Sequence, residues 1–335
     1  MSVAALQVPS SGVYLRSCLA PFDQWLTQPE VTDIYVNRPN EIWVETLGGE
    51  IERHEDPAIG ELLLERLARQ IAALTHQGVS REHPLLSAKL PDGSRIQIVL
   101  PPATRGPLAL AVRRQAASAM SLGDYASGGL FEETTTKVGP NVIDKELQRL
   151  ISERDFAGAL SLAVRGRKNI IVSGGTSTGK TTFLNALLRE ISDDERLILI
   201  EDTPELVIDQ PNHVGLVSVR GELGEAKVSA NDLLSASLRM RPDRIILGEL
   251  RGVEAFAFLR AINSGHPGSM TTVHADSPAS AIEQVTMLVL QGGTSLGRDD
   301  VRHFVTQSVD LFVQLNRSGG KRAVQSVTIA EKPLP

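Results

Sequence analysis

The chain has 335 residues, of which 41% are hydrophobic and 22% charged, and its formal net charge is −6. This length is enough for two domains, the composition excludes a disordered chain, and the negative charge argues against direct, specific nucleic-acid binding. The single cysteine, Cys18, excludes an internal disulfide framework and a cysteine-based zinc site. We expect its thiol to be buried.

The sequence also predicts where the protein works. Its first residues show no basic segment followed by an apolar run, so we expect no signal peptide. Apolar runs such as "LILI" at 197–200 are far shorter than the ~20 residues of a membrane-spanning helix. We therefore expect a cytoplasmic protein whose contact with a membrane, if any, is peripheral.

Residues 1–115 are predicted to form a small α+β domain. The β-forming runs at 31–36 and 42–45 flank the turn sequence "NRPN", which predicts a hairpin. Leucines and isoleucine repeat at helical spacing over 62–76, which predicts an amphipathic helix. Two further strands are predicted, one after the Pro-Asp-Gly turn at 91–93 and one at 108–114.

Residues 116–140 are rich in Ala, Ser, Gly and Thr and are predicted to form a linker. From 141 to 335, short apolar strands alternate with helices, which indicates a parallel sheet covered on both faces. The strands are predicted near 169–175, 196–202, 244–249 and 269–275, and the helices from 180 and over 232–240, 253–263 and 280–290. The last segment predicts a closing hairpin with a Gly-Gly turn.

Between the first of these strands and its helix lies a match to G-x-x-x-x-G-K-[ST]. The glycines let backbone N–H groups point into one concavity, and the helix N-terminus adds about half a positive charge there. The Lys supplies a charge for the β- and γ-phosphates, and the Thr hydroxyl suits Mg²⁺. The context predicts nucleotide binding by Gly174, Gly175, Thr176, Ser177, Thr178, Gly179, Lys180 and Thr181.

Hydrolysis also needs a carboxylate that orients or activates water. Two predicted strands end in one: Glu201 with Asp202 follows "LILI", and Glu249 follows "RIILG". Active groups collect at the carboxyl ends of parallel strands, so both can face the phosphates. Gly248 stands where an Asp often precedes the Glu, so metal support is expected from Thr181, Glu249 or the Glu201 and Asp202 pair.

Basic side chains near predicted strand ends are the remaining candidates for catalytic roles. His274 follows the strand "MTTV" and either senses phosphate charge or is structural, and the sequence leaves both open. Most arginines are expected to be surface charges, and one or two to act as arginine fingers within a subunit or across an interface. The candidates are Arg239, Arg241, Arg244, Arg251, Arg95, Arg113 and Arg114.

Four segments, in their order and spacing, resemble motifs of the type II/type IV secretion ATPase superfamily. They are "GGTSTGKTT" (Walker A), "IEDTPEL" (Asp box), "LRMRPDRIILGELRG" (Walker B) and "SGHPGSMTTVHADSP" (His box). Within the superfamily the chain most resembles the VirB11 family of type IV secretion systems, which shares "VTDIYVNRPNEIWVE" and "LPDGSRIQIVLPPA". The resemblance covers roughly residues 20–330.

The resemblance implies an α/β fold: a C-terminal RecA-like P-loop NTPase domain, a smaller N-terminal α+β domain, and nucleotide between them. It implies a Mg²⁺-dependent ATPase with ATP as substrate, which powers substrate translocation or pilus assembly. It further implies a homohexamer at the cytoplasmic face of the inner membrane, working with other type IV secretion components. Hinge motion at the linker is expected to couple nucleotide binding to domain closure.

The resemblance also assigns roles to residues. Phosphate contacts extend to Thr182, and Arg95 and Arg113 match N-terminal-domain arginines that approach the nucleotide. Catalytic roles fall to Lys180, Glu249, Glu201 and His274, and Mg²⁺ contacts to Thr181, Glu249 and Glu201. We favour Glu249 as the essential carboxylate, with Glu201 supporting water and metal, and the choice of general base stays open.

Two alternative functions compete with this interpretation. Motors of Tad-type or type IV pili and of type II secretion share the later motifs, but usually carry longer N-terminal regions or a tetra-Cys zinc module. A nucleotide-gated scaffold without hydrolysis is supported only by the missing Asp at position 248.

Overall fold

The computed structural model describes residues 10–114, 121–132, 134, 142–219 and 224–331. Two β-sheets organise these residues. One sheet is built from strands that lie before residue 114, and the other from strands that begin at residue 170.

The first sheet is antiparallel, with spatial order β3-β2-β1-β6-β5-β4. Its strands are β1 (Val31–Val36), β2 (Glu41–Thr46), β3 (Ile51–Glu55), β4 (Leu85–Lys89), β5 (Arg95–Val99) and β6 (Ala109–Arg113). Its helices are α1 (Ser10–Leu19), α2 (Asp23–Leu26) and α3 (Glu61–Leu74). Helix α3 buries Leu64, Leu67 and Ile71 in the core of this sheet, where Cys18 is also buried, as expected.

The predicted hairpin, amphipathic helix and two further strands of this half are confirmed. Strands β3 and β4 were not expected from the sequence. Both lie at an edge of the sheet; β3, "IERHE", is mostly exposed and carries little apolar signal, whereas the short strand β4, "LLSAK", buries Leu86.

The predicted linker falls partly outside the described residues, which include only 121–132 and 134 of its length. Helix α4 (Leu122–Ser127) lies within it and starts with a capping box formed by Ser121 and Asp124. The helix buries none of its own side chains. The domain boundaries at 115 and 141 stay a prediction.

The second sheet has the order β13-β12-β7-β11-β10-β8-β9 and is parallel apart from the β12–β13 hairpin. Its strands are β7 (Ile170–Gly174), β8 (Leu197–Glu201), β9 (His213–Val217), β10 (Arg244–Leu247), β11 (Met270–Val273), β12 (Leu311–Ser318) and β13 (Lys321–Ile329). The helices are α5 (Val142–Ser152), α6 (Phe156–Arg165), α7 (Lys180–Leu188), α8 (Ala230–Ser237), α9 (Glu254–Asn263), α10 (Pro278–Gln291) and α11 (Arg298–Ser308).

Side chains of this parallel sheet enter cores on both of its faces. Ile198 and Ile200 pack with residues of α8, α9 and α10, whereas Leu197 and Leu199 pack with residues of α6 and α7. This arrangement confirms the predicted α/β class with a smaller α+β part. Within the described residues, no helix is both long enough and apolar enough to cross a bilayer.

A buried polar cluster joins the two sheets, and we call it the seam network. At its centre the fully buried Arg196 donates from Nε to the Met240 carbonyl (2.9 Å) and from Nη1 to Oδ1 of Asn37 (2.7 Å). Its guanidinium carbon lies 4.1 Å from the ring centroid of Tyr35. Asn37 donates to Oδ1 of Asn212 (2.9 Å), so residues of both sheets are tied together.

Candidate active site

The glycine-rich loop connects β7 to α7, as the motif requires. A Cβ on Gly174 would lie 2.5 Å from Oγ1 of Thr178 and 3.0 Å from the Leu315 carbonyl oxygen, so this position has room only for glycine. Gly179, just before α7, has a φ of 92°, which favours glycine. Thr181 and Thr182 then lie in the first turn of α7, where N–H groups are free of intrahelical partners.

Lys180 folds back over this loop. Its Nζ donates to the carbonyl oxygens of Gly174 (3.0 Å) and Gly175 (3.3 Å) and lies 3.4 Å from Nε2 of His274. Partial burial lowers the pKa of Lys180, and the charge of Glu249 partly offsets that effect. The ammonium group is therefore held in a place where additional negative charge is electrostatically favoured.

Glu249 follows β10 and faces the loop. One carboxylate oxygen, Oε1, lies 2.8 Å from Nε2 of His274, and the carboxylate forms an ion pair with Arg251. Arg251 also pairs with Asp202, at 2.9 Å between Nη1 and Oδ2. Lys180, His274, Glu249, Arg251 and Asp202 thus form a continuous chain of contacts, which we call the site network.

Glu201 lies at the end of β8, as predicted, but its side chain is directed elsewhere. Its Oε1 accepts hydrogen bonds from the N–H groups of Glu205 and Leu206, both at 2.8 Å, and its carboxylate pairs with Arg105. The side chain is only 3% exposed. Glu201 therefore closes the loop after β8, and the described contacts do not join it to Lys180.

Gly248, where an Asp was expected, packs closely against Glu201. A Cβ on Gly248 would lie 3.2 Å from Cγ of Glu201 and 3.7 Å from the Ile200 carbonyl oxygen. Any larger residue would press on the buried Glu201 side chain. Glycine at position 248 thus fits beside Glu201 without displacing it.

Arg95 and Arg113 are not near the P-loop of their own chain. They are paired neighbours on β5 and β6 and line a cavity of about 490 Å³ together with Arg239 and Arg241. Arg241 precedes β10, whereas Glu249 follows β10 and the P-loop follows β7 of the same parallel sheet, so the cavity and the P-loop lie at opposite ends of the strands. A nucleotide at the P-loop is therefore not placed beside Arg95 and Arg113 of the same chain, which differs from the expectation.

The other candidate arginines have distinct surroundings. Arg244 is fully buried and pairs with Glu195, and Arg241 pairs with Glu45 of the first sheet, so both hold the fold together. Arg114 donates to the Val31 carbonyl. Arg239 donates only to the nearby Ser235 carbonyl among the described contacts. Arg251 is the candidate that reaches the site network.

Two arginines near the site were missed by sequence reasoning. Arg105, in the loop before β6, pairs with Glu201 and donates to the Leu206 carbonyl at 2.9 Å. Arg322, at the start of β13, donates from Nε to the Ser177 carbonyl at 3.2 Å and so lies against the P-loop. The predicted Gly-Gly hairpin was the only signal for Arg322, and Arg105 had none beyond a proline-flanked turn.

Comparisons with known proteins agree along nearly the whole chain. The model of the family "Type II/IV secretion system protein" matches residues 18–326. The chain is 40% identical over 324 residues to the type IV secretion system protein VirB11 of Bartonella henselae, covering 92% of this chain and 91% of that protein. It is 35% identical over 323 residues to protein VirB11 of Agrobacterium fabrum, covering 94% and 93%.

A solved structure is similar as well. The crystal structure of the VirB11 ATPase from the Brucella suis type IV secretion system, in complex with sulphate, superposes with a TM-score of 0.88 at 35% identity. The match covers 94% of this chain and 97% of that one. The similarity therefore includes both sheets.

Proposed function

We propose that this chain, which belongs to the type II/IV secretion system protein family and within it to the VirB11 proteins, is an ATPase that drives a type IV secretion system. The observation that carries the proposal is the site network, in which the P-loop Lys180 and the strand-end Glu249 meet at His274. The names of the similar proteins favour type IV secretion over a pilus or type II secretion motor.

Lys180 is the residue expected to receive the nucleotide. Its Nζ donates hydrogen bonds to two carbonyl oxygens of the loop. Phosphate oxygens of a bound nucleotide would replace some of these acceptors. The first-turn N–H groups around Thr181 and Thr182 would bind the phosphates from the helix side. Because burial lowers the pKa of Lys180, the charge of the phosphates would also stabilise its protonated form.

Glu249 is the proposed general base. It would accept a proton from the attacking water as the new P–O bond forms and the bond between the γ-phosphorus and the β–γ bridging oxygen breaks. His274 holds one carboxylate oxygen, and Arg251 balances the negative charge from the other side. We propose positioning roles for both. Glu201, which is buried against Arg105, is proposed to shape the loop rather than to activate water.

The residues present fit Mg²⁺ as a partner of the nucleotide. Among the described residues, no group of three or more His, Cys, Asp or Glu forms a ready-made metal cage. Mg²⁺ is usually held by few protein ligands together with substrate phosphates and water. The Thr181 hydroxyl, at the start of α7, would hold it, with Glu249 nearby, and the ion would neutralise charge that develops on the phosphates.

We also propose that the chain works as a homohexamer at the cytoplasmic face of the inner membrane, with other type IV secretion components. The position of Arg95 and Arg113 supports an assembly, because these arginines lie far from the P-loop of their own chain. In a ring they would approach the nucleotide of a neighbour. The hinge at residues 116–140 belongs to this proposal: shortening it would uncouple hydrolysis from transport.

The test measures Mg²⁺-dependent ATP hydrolysis per subunit against protein concentration, with particle mass recorded on the same samples. We expect activity to rise where hexamers appear, and Lys180→Ala to lower kcat by about 100-fold or more. Lys145→Ala, at an exposed position on α5, is the matched control and should leave the rate unchanged. Activity that survives Lys180→Ala, or wild-type rings that do not hydrolyse ATP, would contradict the proposal.

A further inference from the structure

We propose that Gln314 on β12 is a positioning residue for ATP hydrolysis, because it ties the turn that carries His274 to the strand that carries the P-loop. The inference rests on the proposed function, since it presumes that His274 acts beside Lys180. Gln314 is unusual for its place: the residue is 2% exposed, and its neighbours in the strand, Val313 and Leu315, are buried and apolar. Strands of parallel sheets that are covered on both faces are normally apolar throughout.

The whole amide group of Gln314 is hydrogen-bonded. Its Oε1 accepts from the Ser173 hydroxyl (2.6 Å), and its Nε2 donates to the carbonyl oxygens of Ala275 (3.1 Å) and Leu315 (3.0 Å). These bonds also determine the orientation of the amide, because Oε1 in the place of Nε2 would face two carbonyl oxygens. Since a buried amide without partners is costly, the surroundings hold this side chain in one arrangement.

The three bonds connect two elements that meet at the site. Ser173 is paired with Gln314 in the sheet and lies directly before Gly174, the first residue of the P-loop motif. Ala275 follows His274, in the turn after β11. Because β7 lies between β12 and β11, the Gln314 side chain spans the P-loop strand and reaches the turn beyond it.

Glu249 and His274 differ in how the backbone around them is held. Both neighbours of Glu249 bond Thr272 of β11: the Gly248 carbonyl accepts from the Thr272 hydroxyl, and the Leu250 N–H donates to the Thr272 carbonyl, each at 2.9 Å. His274, in contrast, lies one residue beyond the end of β11. The bond from the buried amide to the following carbonyl therefore limits where the imidazole can lie.

The position of the imidazole matters because one of its nitrogens makes both contacts. Nε2 of His274 lies 3.4 Å from Nζ of Lys180 and 2.8 Å from Oε1 of Glu249. A shift of the turn by about 1 Å would break one of these contacts, and misplacement of that size can cost about 100-fold in rate. The described contacts do not join Gln314 to Lys180 or Glu249 directly, so it acts through His274.

The experiment is a double-mutant cycle measured by steady-state ATP hydrolysis. Gln314→Met keeps the length of the side chain and removes its hydrogen bonds. We expect it to lower kcat by about 10- to 100-fold and to change KM for ATP by less than about twofold. In a His274→Ala background the same substitution should lower kcat by less than about twofold, because the group that it positions is gone.

The matched control is Thr286→Val. It removes a buried hydroxyl that donates to the Ile282 carbonyl within α10, and it should leave kcat unchanged. An unchanged kcat for Gln314→Met, a loss confined to KM, or an equal loss in the His274→Ala background would overturn the proposal. If Gln314→Met does not fold, Ser173→Ala takes its place in the cycle under the same criteria, since it removes only the bond that orients the amide.

A second measurement does not depend on hydrolysis. Protein labelled with ¹⁵N-histidine is studied by long-range ¹H–¹⁵N NMR, and the His274 resonances are assigned with His274→Gln. We expect the Nε2 resonance of His274 to move in Gln314→Met and to stay in place in Thr286→Val, and a resonance that Gln314→Met does not move would overturn the proposal. Failure of the proposed function is distinct, because the wild type would then hydrolyse no ATP while the His274 resonance still responded to Gln314→Met.

Discussion

The seam network and the site network are built from similar side chains but differ in access to water. Arg196 in the seam is completely buried, whereas Arg251 and His274 in the site are 44% and 48% exposed. Buried polar groups must keep their partners, because the cost of an unpaired group is high. Half-exposed groups can exchange a partner for a phosphate or for water. Access to solvent therefore separates the structural network from the reactive one.

The largest expected effect comes from the carboxylate of the site network. Glu249→Gln should lower kcat by about 10²–10⁴-fold, because the amide cannot accept the proton of the attacking water. The unfolding free energy should change little, since the amide oxygen can still accept the hydrogen bond that Arg251 donates. Steady-state ATP hydrolysis and urea denaturation of the same preparation measure the two quantities.

The matched variant at the other strand end should show the opposite pattern. Glu201→Gln keeps an oxygen for the N–H groups of Glu205 and Leu206 but loses the charge that faces Arg105. We expect a loss of about 2–3 kcal/mol in stability and a smaller fall in kcat than for Glu249→Gln. If Glu201→Gln abolished hydrolysis in a protein of normal stability, the assignment of the general base would be reversed.

The next prediction concerns the seam network. Arg196→Met removes a buried charge. It also removes the guanidinium donor to the carbonyl oxygen of Met240 and to the side-chain oxygen Oδ1 of Asn37. We expect about 3–5 kcal/mol of lost stability, the cost of breaking a buried polar cluster. Urea denaturation measures it. Arg239→Met, at an exposed arginine, should stay within about 0.5 kcal/mol, and similar values for the two variants would show that burial is not the deciding difference.

Local features of the sequence predicted most of the fold and the phosphate-binding loop. The loop is specified by eight consecutive residues, and strands such as β8 and β10 are specified by short apolar runs. These patterns depend on neighbouring residues, so they are visible without the tertiary structure. Strand β9, "HVGLV", was not predicted, because its Gly and His interrupt the apolar run that marks the other strands.

The parts that were not predicted depend on residues far apart in the chain. Glu201 and Glu249 follow similar apolar runs, and their partners distinguish them: Glu201 pairs with Arg105, about a hundred residues away, whereas Glu249 contacts His274 and Arg251. Arg196, which is fully buried, likewise bonds Asn37, which directly follows β1 of the other sheet. Arg95 and Arg113 were matched to the nucleotide by family resemblance, which does not specify whether they act within one chain.

The smallest expected effect is a pH dependence of stability at the seam. His213 begins β9, next to Asn212 of the seam network, and its Nδ1 lies 2.6 Å from the Gln210 carbonyl oxygen. Burial lowers the pKa of His213 below 6.5, the positive charges of Arg38 and Arg105 lower it further, and the contact with Gln210 acts in the other direction. The unfolded chain therefore binds a proton more readily than the folded one.

Because the unfolded state binds more protons, the free energy of unfolding should fall as the pH drops below 6.5, and the loss should level off below the lowered folded pKa. His213→Gln should remove this part of the pH dependence in urea denaturation between pH 5 and 8, whereas His303→Gln, at an exposed position on α11, should retain it. If both variants kept the wild-type slope, protonation at the seam would not control stability in this range. The loss of stability at low pH would then come from groups outside the seam. The two networks would differ in whether they can bind a ligand, and not in whether protonation changes their contribution to stability.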